Sequence, residues 1–172
     1  MKTISWSRSR LLAPLLACVA LGTVVAAPAS AEPKGKTTTI TFQEQESGKG
    51  SSFKFIDNVP KSKLKHGFPL KISAGDEFVF QNPDFAEGKR IGRTQVVCVA
   101  TKTARRFDKA DFQCHGTFVF SNGTLTVSAV AGSGSTTEGA VTGGTGAYAA
   151  ARGTFASVET GKVSNVTVTL YE

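Results

Sequence analysis

Ala140–Phe155 reads AVTGGTGAYAAARGTF, with Gly143, Gly144 and Gly146 crowded ahead of a short alanine-rich run and then Arg152-Gly153. A phosphate cradle would place such glycines between a strand and a true helix, whose first amides meet the anion. Ala147–Ala151 leaves room for little more than one turn before Gly153, and no Gly-Lys-Ser/Thr follows. The glycines are therefore expected to supply positive φ and close backbone packing where the chain turns across one end of a β structure.

Outward from that stretch, the sequence is almost entirely strand and turn signals. Residues 37–46 (TTTITFQEQE) alternate, with Ile40 and Phe42 on one face; 51–56 is a short second candidate, and 57–75, with Pro60 and Pro69, reads as a long connection. Further strands are expected over 77–82 (closed by Pro83), 92–100, 111–121, 124–131, 152–159 and 163–171, with Asn122-Gly123 and Thr160-Gly161-Lys162 as turns. About eight strands without a long helix predict an all-β fold, a closed eight-stranded antiparallel barrel being favoured over a sandwich. Such a barrel is either just filled by side chains or holds one small ligand.

Parity selects the inward side chains. Phe112, Cys114, Gly116, Phe118 and Phe120 share one face of their strand, while His115 lies on the other. If 92–100 and 111–121 form a hairpin turning near Arg106, Cys98 and Cys114 stand directly opposite each other, which predicts a disulfide. The alternative is a free inward thiol at Cys98. His66 and His115 are too few and too scattered for a metal site, so no metal and no cofactor are expected.

The first residues point to export. Lys2, Arg8 and Arg10 precede the apolar run Leu11–Ala27, and Ala29-Ser30-Ala31 offers a cleavage site, so residues 1–31 read as a signal peptide and 32–172 as one barrel domain. Leu16-Ala17-Cys18 is a weaker lipoprotein-type alternative, since the apolar run continues past Cys18. The expected product is secreted, with no membrane segment after cleavage after Ala31. The formal net charge of +7 falls when the basic leader is removed, and the remaining bases are spread out without interleaved aromatics. Nucleic acid is therefore not an expected partner.

Several segments, in order, resemble the allene oxide cyclase and dirigent barrel superfamily. Val141–Gly153 is similar to the family's GGTG-aromatic-xx-Ala-Arg-Gly signature; Arg90–Val99 (RIGRTQVVCV), Phe118–Val127 (FVFSNGTLTV) and Phe80-Gln81-Asn82-Pro83 match further stretches. The resemblance runs from about Thr39 to Tyr171 and implies an eight-stranded barrel with an apolar cavity, often assembled as a homotrimer. It carries the cyclases' second cavity Asn onto Asn82 and their Cys onto Cys98. Their Glu falls on Gln43 by alignment of Gly50-Ser51, or on Glu44 by strand parity, and Glu44 could also lie solvated beyond the rim. Arg152 matches the Arg of the signature, as a ligand contact or as a tie for its loop. The family's Pro and Tyr have no counterpart.

Candidate catalytic residues are accordingly Glu44, Asn82 and Cys98, and candidate ligand contacts are Phe42, Phe78, Phe80, Phe112, Phe118, Phe120 and Arg152. Three functions are compatible with them. The barrel binds a small apolar molecule and steers a cyclisation or coupling without a cofactor; or it is an isomerase of the allene oxide cyclase type, needing inward Glu44 and a free Cys98; or its twelve phenylalanines simply fill it.

Overall fold

The computed structural model describes residues 35–58, 64–65, 68–69, 71–132 and 134–171. The leader, its cleavage site and His66 lie outside them. The elements in chain order are β1 (Thr37–Gln45), β2 (Ser52–Ile56), the two-residue strands β3 (Leu64–Lys65) and β4 (Phe68–Pro69), β5 (Glu77–Ala86), β6 (Lys89–Ala100), a 3-10 turn (Phe107–Lys109), β7 (Phe112–Phe120), β8 (Gly123–Ala131), β9 (Thr136–Gly146), β10 (Gly153–Thr160) and β11 (Val163–Tyr171).

The main sheet runs β1-β11-β10-β9-β8-β7-β6-β5-β2 and closes because β1 also pairs with β5. Those contacts make an antiparallel barrel of eight staves, β1 and β5 to β11, with β2 as an added strand on β5. Closure leaves few free strand edges. Along β5, Glu77–Gln81 pair with β2, whereas Asp84 and Phe85 pair with β1. Pro83 falls in the gap between the two partners, where a missing N–H costs no ladder bond. This is why β5 passes through a proline that the sequence suggested would end it.

The glycine stretch is only partly where the sequence placed it. Gly143 and Gly144 belong to the strand β9, paired to β8 with a register shift between Thr126 and Val127. A Cβ at Gly144 would meet the carbonyl oxygens of Thr124 and Tyr148, so glycine lets the strand curve that tightly. Gly146 ends β9 at φ +61°, and a Cβ there would strike the Asn122 carbonyl. Only then does the chain cross the barrel end, in turns over residues 147–152 that set Tyr148 against Phe120 at 5.7 Å between ring centroids. The expected strand count was right, but its membership was not: β9 was unread because its glycines and threonines carry little hydrophobic alternation.

Two hydrophobic clusters occupy the interior. Phe42, Phe118, Leu125, Phe155, Val166 and Val168 form one, and Phe78, Cys98, Ala100, Phe112, Cys114 and Ile72 form the other. In the first, Phe42 meets Phe118 edge-on at 5.2 Å. In the second, Phe78 meets Phe112 at 5.0 Å, and the 3-10 turn drops Phe107 onto both rings. Among the described residues, no helix is long and apolar enough to cross a membrane.

Candidate functional site

Between and beside the clusters lies a cavity of about 740 Å³. Phe78, Phe80, Phe112 and Phe118 line it, together with Val127 and Phe155. Its rim carries Glu46 just after β1, Asp108 and Lys109 of the 3-10 turn, and Glu159 near the end of β10. Phe42 and Phe120, expected as ligand contacts, are not among the lining residues. They meet edge-on at 5.7 Å and belong to, or pack against, the first cluster. Arg152 is also displaced from its expected role. It sits in the exposed turn after β9 and does not reach the cavity.

One side of the cavity is polar. On β1, Phe42 and Glu44 are buried while Gln43 and Gln45 are exposed, so parity rather than alignment gives the register. The Glu44 backbone pairs with Ser164 on β11 and with Asp84 on β5. Directly opposed residues project to the same face, which brings the two carboxyls together. Asn82, two residues before Asp84 and on that same face, donates its Nδ2 to Glu44 Oε1 at 2.7 Å. Thr94, opposite Asn82 on β6, donates its hydroxyl to Asp84 Oδ1 at 2.9 Å. Asp84 is fully buried, and its Oδ2 has no hydrogen-bond partner among the described residues. Glu46 follows the end of β1 and accepts from the Ser164 hydroxyl.

Burial sets the charge state of this cluster. It pushes the Glu44 carboxyl up to about 7; the Asn82 hydrogen bond opposes that rise, and the nearby Asp84 and Glu46 charges add to it. Asp84 is pushed up to about 6 by burial, against the Thr94 hydrogen bond and the attraction of Arg90. A carboxyl that titrates near neutrality inside an apolar pocket can give or take a proton, or face a developing positive charge.

Cys98 does not supply a thiol. It is bonded to Cys114, its directly paired residue, with Cα atoms 4.1 Å apart. The disulfide forms part of the cavity wall, and the reading of Cys98 as a catalytic thiol is corrected accordingly. The sequence reading missed Asp84, Thr94, Glu46 and Ser164. Asp84 was legible in principle: continuing the Phe80–Asn82 parity through Pro83 reaches it.

No protein-family model and no curated protein matches the chain. Solved structures do match. A pyocyanin demethylase superposes with a TM-score of 0.61 at 20% identity, covering 77% of this chain and 99% of that one. A pterocarpan synthase dirigent protein gives 0.61 at 18% identity, covering 80% and 96%. The fold is the dirigent-type barrel. A Diels-Alderase from Streptomyces koyangensis is similar at a TM-score of 0.52 and 11% identity, over 83% of this chain and 71% of its own. The barrel resemblance drawn from the glycine signature is thus matched in three dimensions, and at these identities the likeness concerns the fold.

Proposed function

We propose that this dirigent-type barrel binds a small, largely apolar organic molecule and directs its ring closure, with Glu44 as the acid–base or charge-stabilising group. The observation that carries this reading is the Glu44–Asn82 hydrogen bond of 2.7 Å in the wall of a cavity that Phe78, Phe80, Phe112 and Phe118 also line. Solved barrels of this shape include a dirigent protein, a cyclase that catalyses a [4 + 2] cycloaddition and Diels-Alderases, which agrees with the reading.

The chemistry asked of the chain is modest. A flexible substrate folded between Phe78, Phe80, Phe112 and Phe118 has its reacting ends held together, which removes much of the entropic part of the barrier. Glu44 then protonates, deprotonates or electrostatically supports the reacting centre. Asn82 fixes the carboxyl orientation by holding Oε1. The isomerase reading that needs a free Cys98 is disfavoured by the disulfide. The filled-barrel reading is disfavoured by the open volume. Export with cleavage after Ala31 remains part of the proposal, resting on the leader sequence alone.

Native mass spectrometry of the protein from its own host should reveal a retained small molecule. Cyclisation of that molecule's open-chain precursor should slow by roughly a hundredfold in E44Q with little change in affinity. An unchanged rate in E44Q would remove Glu44 from the mechanism.

A further inference from the structure

The chain is basic overall, yet its cavity is acidic. Among the described lining residues Lys109 is the sole base, on the rim, and its Nζ lies 3.7 Å from Asp108 Oδ2. Asp108 is also held by Arg106 at 2.8 Å, so that acid is neutralised locally. Glu44, Glu46 and Glu159 face the cavity without such a partner in the lining, and Asp84 stands behind Glu44 with an unpartnered Oδ2. Arg90 attracts Asp84, but a buried oxygen left without a hydrogen bond is still costly unless something supplies a donor or a further positive charge.

Much of the remaining wall is aromatic, with valines, serines and threonines between the rings. Phe78 and Phe80 stack at 6.2 Å, with Phe112 and Phe118 beside them in the lining. Ring faces and carboxylates attract the same kind of partner, an organic cation that is large and weakly hydrated. Among the described residues, no three His, Cys, Asp or Glu side chains are arranged to hold a metal ion. The oxygens that are present are also partly used by Asn82 and Thr94. A bulky organic cation needs no closed shell of oxygens, and it suits both halves of the wall.

We propose that the ligand of this cavity is positively charged, a protonated aromatic amine or a fixed aromatic cation, lying on the phenylalanine rings with its charge directed at Glu44 and Asp84. This deepens the preceding reading and rests on the cavity being a ligand site. The positive charge of the whole chain opposes such a ligand at long range, but salt screens that field, while the contact with a buried carboxylate is screened far less.

A matched pair of probes tests it: N-methylacridinium, a permanent cation, and acridine, neutral at mildly alkaline pH and nearly the same shape. Titrated by fluorescence against the wild-type chain, the cation should bind at least about tenfold more tightly, about 1.4 kcal/mol. E44Q should remove most of that preference and leave acridine unchanged, and D84N should act in the same direction. Equal binding of the two probes, or tighter binding of acridine, would overturn the cation preference while leaving the cavity a ligand site. Failure of both probes to bind would count against the cavity reading itself. A cation preference that survives E44Q would place the charge on the rim acids and overturn the assignment. The comparison on the wild-type chain does not depend on either variant folding.

Discussion

Phe42 and Glu44 stand two residues apart on the same face of β1, and the barrel uses them in opposite ways. Phe42 packs edge-on against Phe118 and Phe120, in a cluster completed by Phe155 of β10 and aliphatic side chains of β8, β9 and β11, and it does not line the cavity. Glu44 looks into open volume and is satisfied by a single side-chain hydrogen bond from Asn82. Alternation alone makes both of them inward residues. What separates them is whether the facing strands send large side chains to meet them. The dry cluster specifies the fold, and the cavity gives up packing to hold a reactive group. Stability and chemistry are thus divided within one strand.

Truncation should show the division most strongly. Phe42→Ala removes a ring 4% exposed and leaves a void its neighbours cannot close, so unfolding free energy should fall by about 3–5 kcal/mol. Phe80→Ala, on the half-buried cavity wall, should cost roughly 1–2 kcal/mol, because the ring already borders empty space. Urea denaturation of both variants measures the gap. Equal losses would mean that the cavity closes in solution, and that the two regions are alike.

The disulfide sharpens the same contrast, because it joins β6 to β7 in the cavity wall. Cys98 and Cys114 are 16 residues apart in sequence, and closing a loop of that size restricts the unfolded chain by about 3 kcal/mol. The C98A/C114A double variant should lose about that much in denaturant unfolding. If instead the loss is negligible, the cavity wall is held by its strand ladder alone.

The sequence revealed the regions unequally. The Phe112-Cys114-Phe118 face, the pairing of Cys98 with Cys114 and the inward register of Glu44 follow from period-two alternation, and the structure places them so. The β5–β6 hairpin was harder to see, because its turn is Glu87-Gly88, both at positive φ, without the usual Asn-Gly or Asp-Gly signal. Pro83 was moreover read as closing the strand, so the β5 end was set at Asn82 and Asp84, the acid opposite Glu44, was left outside it. Phe42 and Phe120 were read as ligand contacts because parity tells in from out but not filled from empty. That distinction depends on barrel curvature and on which rings meet, which are non-local properties.

Titration gives the most selective test, since the Phe42 cluster buries no acid and the cavity buries Glu44 and Asp84. Both carboxyls have pKa values raised on folding, Glu44 from 4.5 to about 7 and Asp84 from 3.8 to about 6. The native state therefore holds protons that the unfolded chain has already released, and stability falls as pH rises through that window. The penalty is absent below pH 3.8 and complete above about 7. For Glu44 it amounts to roughly 3 kcal/mol, with the mutual repulsion of the two acids counted in it. Wild-type protein should unfold at lower urea concentration at pH about 8 than at pH about 5. E44Q should flatten most of the slope, gaining stability at the alkaline end and little at the acid end. A cation bound beside Glu44 should flatten it too, by stabilising the carboxylate that burial disfavours. A profile that stays flat over the same interval would mean that water reaches both acids, and the division between a dry cluster and a chemically tuned cavity would not hold.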